Sequence, residues 1–284
     1  MGWHVMAPTS LGITGATGHV GGRVARLLAD GSRPVRLLVR DAARAPRLPG
    51  ADVAVAVYGE PATVESLRGL DAVLMVSAHE SDDRVAEHRA FVDTAVEAGV
   101  RHVVYTSFVG ASDRTGFLLG RDHGATEEII RSSGLAFTFL RDNFYAEVFA
   151  EFGGEDRVIR GPAGLGRVAA VSRRDVAEVA ALVLRDLDAH AGATYDLTGP
   201  EALTLHEVAQ VLTDVTGEPH SYVDETMEEA RASRASYGAP EWLVEAWIST
   251  YTAIRDGELA AVSDDVQRLL GRPATSFREA VAAL

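Results

Sequence analysis

The sequence predicts an α/β protein: a Rossmann-type, doubly wound parallel sheet with a smaller, mostly helical C-terminal lobe. Three observations predict it. Short apolar runs alternate with helix-spaced patterns through about the first 140 residues, which implies right-handed crossovers and a parallel sheet covered on both faces. A glycine-rich turn joins the first apolar run to the first helical pattern. After about residue 141 the rhythm breaks into glycine-marked loops and helices.

Leu11–Thr14 reads as the first strand. From Gly18 to Asp30, Val20, Val24, Leu27 and Leu28 fall on one side of a helix that Gly31 ends. Val35–Val39, Val53–Val57 and Ala72–Val76 read as strands two to four. Arg84–Ala98 reads as a helix stopped by Gly99, and Val103–Thr106 as a fifth strand. Ala125–Ser132 is helical ahead of Gly134, and Ala136–Leu140 is a sixth strand. Gly153, Gly154, Gly161, Gly164 and Gly166 then mark a loop-rich stretch. Ser172 with Asp175, and Thr204 with Glu207, open helices in the manner of a capping box. Thr194–Leu197 reads as a strand, Glu225–Ser236 and Glu241–Asp256 as helices, and two short helices flank Gly271–Pro273.

Composition narrows the function classes. The chain of 284 residues has no cysteine, which excludes disulfides, thiolate zinc sites and cysteine nucleophiles. A formal charge of −14 has the wrong sign for non-specific nucleic-acid binding. No apolar stretch reaches the roughly 20 residues needed to span a bilayer, and Met1–Ser10 lacks a signal-peptide pattern and reads as a short extension before the first strand. His79 and His88 have no metal-site spacing. These features point to a cytoplasmic protein with a small-molecule partner and no nucleic-acid, membrane or metal partner. A monomer or C2 homodimer is the default. All 27 basic residues are arginine, so no mechanism here uses a lysine.

The strongest motif is Thr14-Gly15-Ala16-Thr17-Gly18-His19-Val20-Gly21. Gly15 permits the tight turn, Gly18 lets a pyrophosphate approach the backbone, and Gly21 lets the helix pack close to the sheet. The helix N-terminus offers unpaired N–H groups to phosphates. The turn therefore predicts a dinucleotide site in a domain over residues 1–150, which also receives strands from about 168–200. Residues 151–284 mainly form a smaller substrate lobe. The second strand ends in Leu38-Val39-Arg40, where an NAD site places an acid. Arg40 suits a 2′-phosphate, so NADP(H) is favoured over NAD(H), although Asp41 follows directly.

The Gly15–Gly21 turn, Arg40, Tyr105-Thr106-Ser107, the Phe137–Tyr145 segment, Ser172–Asp175, Tyr195–Gly199 and Ser263–Gly271 together resemble the NmrA-like, atypical short-chain dehydrogenases. The resemblance covers nearly the whole chain and is greatest to the NADPH-dependent quinone and triphenylmethane-dye reductases. It implies cofactor contacts at Gly15, Thr17, Gly18, His19 and Val20, and at Arg40. It also implies Val76, Ser77, Ala78, Tyr105, Thr106 and Ser107 around the ribose and nicotinamide. One departure is Val57-Tyr58, where relatives often carry an aspartate before the tyrosine.

The tyrosine–lysine acid of ordinary short-chain dehydrogenases is absent, since Tyr105 precedes Val109 and Tyr145 precedes Phe149 at that spacing. His123 and Tyr145 are the catalytic candidates. His123 offers an imidazole near neutral pH, with Glu127 one turn later to orient it or simply solvated. Tyr145 follows Asn143 just past the sixth strand, where parallel sheets bind ligands; it is equally read as core. Arg141 reads as structural. Trp242 and Trp247 fall on different helix faces, and Phe144, Phe149 and Phe152 read as core or as an apolar wall. The resemblance implies hydride transfer from NADPH to a planar conjugated acceptor such as a quinone or dye. The alternatives are an NADP(H)-sensing regulator without turnover, or a tailoring reductase or isomerase.

Overall fold

The computed structural model describes residues 9–284, so Met1–Pro8, most of the expected N-terminal extension, lie outside the described residues. The first half runs β1 (Leu11–Thr14), α1 (His19–Leu28), β2 (Val35–Val39), β3 (Ala51–Val55), α2 (Thr63–Leu67), β4 (Ala72–Met75), α3 (Arg84–Ala98), β5 (His102–Phe108), α4 (Leu118–Ser132) and β6 (Ala136–Asp142). Then come α5 (Val148–Phe152), β7 (Val158–Gly161), β8 (Arg167–Val168), α6 (Arg173–Arg185), α7 (Leu187–His190), β9 (Thr194–Leu197) and β10 (Leu203–Thr204). The chain closes with α8 (Leu205–Thr216), β11 (Ser221–Asp224), α9 (Met227–Arg234), α10 (Glu241–Arg255), α11 (Asp265–Leu270) and α12 (Phe277–Ala282).

The main sheet is parallel, as the sequence predicts, with seven strands in the order β3-β2-β1-β4-β5-β6-β9. Leu11 of β1 pairs with Val35 of β2 on one side and Ala72 of β4 on the other. Chain order reverses between β1 and β4, which is the switch point where such sheets bind ligands. β1, β4 and β5 are buried along their whole length, the expected state of a strand covered on both faces. Two small pairs lie apart: β7 with β11, parallel, and β8 with β10, antiparallel.

The chain divides into two compact units. The first takes residues up to Thr106, Thr126–Phe139 and Ala177–Thr194; the second takes Ser107–Ala125, Leu140–Val176 and Tyr195–Leu284. Residues 107–125 and 140–150 thus group with the second unit, because Phe108, Phe117, Leu119 and Phe149 are buried in its core with Leu205, Leu212 and Phe277. The core of the first unit includes Leu67, Val73, Met75, Phe91, Val103, Tyr105 and Phe139.

Local signals account for the helix ends. Gly99 closes α3 in the left-handed region at φ 81°. At α8 the capping box forms: Thr204 Oγ1 accepts from the Glu207 N–H at 3.2 Å, and the Glu207 carboxylate accepts from the Thr204 N–H at 2.8 Å. Thr204→Ala is expected to cost about 1 kcal/mol, read as a lower urea midpoint with an unchanged slope. Asp175, expected to cap α6, instead accepts from Arg272 at 2.7 Å and from the Thr275 N–H at 2.6 Å, fastening the segment before α12.

Candidate active site

The turn after β1 belongs to the first unit. Gly15 sits at φ 61°, and the Gly18 N–H closes the turn on the Gly15 carbonyl at 2.8 Å. Gly18 is the extended N-cap of α1, which has no side-chain cap bond and no acid in its first turn. The leading amides of that helix are therefore left for an anion. A Cβ on Gly21 would stand 2.5 Å from both the Thr14 and Gly15 carbonyl oxygens, so only glycine lets α1 come this close to the strand end.

The turn opens onto a cavity of about 290 Å³, near the lower end of the roughly 300–1,000 Å³ typical of small-molecule sites. Thr14, Gly15, Thr17 and Gly18 line it from β1 and the turn; Leu38, Val39 and Arg40 from the end of β2; Ala56, Val57 and Tyr58 from the segment after β3. Val76, Ser77, Ala78, His79 and Glu87 complete it. Arg40 is exposed at its margin. The uncapped helix end, the glycine approach and the guanidinium fit a phosphorylated dinucleotide.

A polar lattice holds the cavity floor. Tyr58 donates to the Val76 carbonyl at 2.8 Å and lies 3.0 Å from Thr14 Oγ1; Thr14 donates to the Leu74 carbonyl and accepts from the Val76 N–H. This stitches the ends of β1 and β4 together. The Ser77 N–H donates to Thr106 Oγ1 at 3.0 Å. The Ala78 N–H donates to His88 Nε2 at 2.9 Å, and His88 Nδ1 lies 2.8 Å from Thr126 Oγ1. A backbone amide only donates, so Nε2 is the lone-pair nitrogen and Nδ1 carries the proton.

Burial, with Arg84 nearby, pushes His88 down to about 3; burial also takes His102 down to about 4, with Asp188 opposing. Between pH 6.5 and those values the unfolded chain binds protons that the folded one refuses, so stability falls on acidification. The urea midpoint is expected to drop as pH falls from about 6.5 towards 4, and His88→Gln to remove part of that slope. Asp142, raised by burial, works the other way in this window, so the difference between wild type and His88→Gln is the deciding readout, and a difference that does not change from pH 6.5 to 4 contradicts the neutral, buried assignment.

Within the second unit, His123 is buried, its ring 6.0 Å from that of Phe108. The Tyr145 hydroxyl is 2.7 Å from Asp142 Oδ2, and the Arg173 guanidinium lies 5.5 Å over the Tyr145 ring. Asp142 is pushed up to about 8 by burial, which outweighs the hydrogen bond with Tyr145. Tyr145 is raised well above the ordinary phenol range, by burial first and then by Asp142. Asn143 serves as scaffold: its side chain donates to the Leu259 carbonyl and accepts from the Phe144 N–H.

The NAD(P)H-binding family matches residues 15–187, the span that carries the turn, the cavity and α6. The chain belongs to the NAD(P)H-binding family. It is 34% identical to the NAD(P)H azoreductase of Xenophilus azovorans over 94% of this chain and 95% of that protein. The triphenylmethane reductase of a Citrobacter species, solved with NADP(H), superposes with a TM-score of 0.84 at 32% identity, covering 96% of this chain and 99% of its own. The NADPH-dependent quinone oxidoreductase of Escherichia coli, solved with NADPH, gives 0.86 at 31% identity, again over 96% and 99%. The NmrA-like, quinone-reductase resemblance read from the sequence holds.

In this NAD(P)H-binding chain, seven residues expected at the cofactor line the cavity: Gly15, Thr17, Gly18, Arg40, Val76, Ser77 and Ala78. His19 and Val20 sit in the first turn of α1, exposed and buried respectively. Tyr105, Thr106 and Ser107 are buried in β5, Thr106 holding Ser77 from beneath. Val57 lines the cavity where relatives often carry an aspartate, with Tyr58 beside it, and Glu127 accepts from Arg131 at 2.8 Å. In the sequence Asp142 carries no signal beyond its place in the Arg141-Asp142-Asn143 run.

Proposed function

We propose that the chain is an NADPH-dependent reductase acting on planar, conjugated acceptors such as quinones or aromatic dyes. The observation that carries the reading is the uncapped, glycine-built helix end opening onto a cavity to which the end of β2 brings Arg40 rather than an acid. Gly15, Thr17 and Gly18 hold the pyrophosphate, Arg40 takes the 2′-phosphate, and Val76 to Ala78 border the ribose. Bound NADPH supplies the hydride. The family relatives named above, an azoreductase, a triphenylmethane reductase and a quinone oxidoreductase, support the acceptor class.

The chain's own contribution is largely positional. Holding two reactants in contact accounts for much of the acceleration such a site needs. A quinone spreads the arriving charge over its own π-system, which suits a chain with no lysine. His123 and Tyr145 are the groups assigned to hold or deliver a proton. The test is NADPH oxidation by the purified chain against a panel of quinones and azo or triphenylmethane dyes. Turnover that depends on His123 or Tyr145 supports the reading. Tight NADP binding with no oxidation across the panel replaces it with nucleotide sensing.

A further inference from the structure

Asp142 is the last residue of β6 and is 3% exposed. Its two carboxyl oxygens differ. Oδ2 meets the Tyr145 hydroxyl at 2.7 Å, whereas Oδ1 is buried with no hydrogen-bond partner among the described residues. An ionised carboxylate there would leave part of a full negative charge unsatisfied. A neutral acid leaves only a carbonyl oxygen unmatched, which costs far less. The charged groups facing the pair are Arg173, over the Tyr145 ring, and Glu147, which accepts from the Arg173 backbone N–H at 3.0 Å.

We propose that Asp142 is held as a neutral carboxylic acid that donates from Oδ2 to the Tyr145 oxygen, freeing the phenolic O–H to protonate the reduced acceptor. This rests on the reductase reading above. With the proton on Oδ2, the 2.7 Å contact runs from carboxyl to phenol. Tyr145 is half-buried, so it keeps a side towards solvent.

The proton step balances. The acceptor, having gained its electron pair from NADPH, carries negative charge on an oxygen or nitrogen. That atom takes the Tyr145 proton: the phenolic O–H breaks and a new O–H or N–H forms. The Asp142 proton passes to the phenolate, and the resulting carboxylate is reprotonated from water. One solvent proton is consumed per acceptor reduced. Tyr145 is the catalytic residue and Asp142 its positioning residue and proton store. The elevation of Asp142 to about 8 by burial agrees with a proton held at neutral pH.

The test uses the full chain and two readouts. First, kcat with an azo dye and with a quinone is followed from about pH 6 to about pH 10. Wild type is expected to lose kcat as pH rises through about 8. Asp142→Asn keeps an N–H donor on Tyr145 but neither titrates nor stores a proton. It should therefore be several-fold slower at neutral pH and should lose the alkaline fall. Tyr145→Phe should lose about 100-fold with the azo dye and less with the quinone, whose reduced anion is less basic.

Second, infrared difference spectra of the protein without nucleotide should show a protonated carboxyl at neutral pH. That band should vanish above about pH 8, be absent from Asp142→Asn, and shift in Tyr145→Phe. An alkaline limb retained in Asp142→Asn, or no such band in wild type, overturns the dyad and leaves the reductase intact. No NADPH oxidation with any acceptor overturns the reductase reading and the proton delivery with it, while the band still decides the ionisation of Asp142.

Discussion

Gly21→Ala is expected to weaken NADPH binding by more than about 100-fold, equivalent to roughly 2.7 kcal/mol, and to destabilise the chain. The direction is informative because alanine is the better helix former, by about 1 kcal/mol over glycine in a helix interior. Gly21 lies inside α1 and needs no left-handed conformation. Helix propensity alone therefore predicts a gain. Packing predicts the opposite, since the new methyl would stand 2.5 Å from the carbonyl oxygens of Thr14 and Gly15. Relieving that overlap moves α1 away from the strand end, at about 1–3 kcal/mol. The same shift carries the leading amides of α1 off the phosphate position. Calorimetric titration with NADPH and urea unfolding read the two effects separately. A variant that is more stable than wild type and binds normally would show that α1 does not need this close approach.

The parts of the fold that were legible are those decided locally. Val35–Val39, Arg84–Ala98 and Thr194–Leu197 occupy the residues the sequence predicts: the first is a mostly apolar run, the second is closed by Gly99 although its apolar periodicity is weak, and the third alternates exposed and buried residues. β3 lies two residues earlier than expected, at Ala51–Val55. The run Val53–Val57 has no inside–outside contrast, so its pairing with β2 sets the limits: Ala51 opposes Val35, and the strand ends where Val55 opposes Val39. α4 begins at Leu118, well before the expected Ala125. Its glycines disguise it, and Gly124 is there because a Cβ would stand 2.7 Å from the Ser112 Cα. The β7–β11 and β8–β10 pairs are two to four residues long and join distant segments, so no local pattern announces them.

The site divides in the same way. The glycine turn and Arg40 are local signatures of a phosphate-binding strand end. Tyr58 and His88 act through contacts with Val76 and Ala78, which are distant in sequence. Asp142 is distinctive only because its surroundings withhold a partner from Oδ1. Periodicity reports which face of an element is buried. It carries no information on which buried polar atom is left unmatched.

Arg40→Ala is expected to separate the two nicotinamide nucleotides. A hydrogen bond to a charged group contributes about 1.5–3 kcal/mol, so NADPH affinity should fall about 10- to 100-fold. NADH affinity should barely change, because NADH has no 2′-phosphate. Arg40 is exposed at the cavity margin, which places the effect nearer the lower end of that range at physiological salt, where screening is effective over about 8 Å. Lowering the ionic strength should therefore widen the gap between wild type and variant. Arg40→Asp goes further: a carboxylate at the end of β2 repels the 2′-phosphate and accepts from a free ribose 2′-hydroxyl, the arrangement of an NAD site. Asp41 already stands beside it, with its carboxylate accepting from the Ala43 N–H at 2.9 Å. That bond turns Asp41 to the short helical turn after β2, which leaves residue 40 to choose the nucleotide. Fluorescence titrations with both nucleotides, run on Arg40→Ala, Arg40→Asp and Asp41→Ala, decide the matter. Equal losses for NADPH and NADH in Arg40→Ala would move the phosphate contact elsewhere, and a switch of preference in Asp41→Ala would assign it to the neighbouring position.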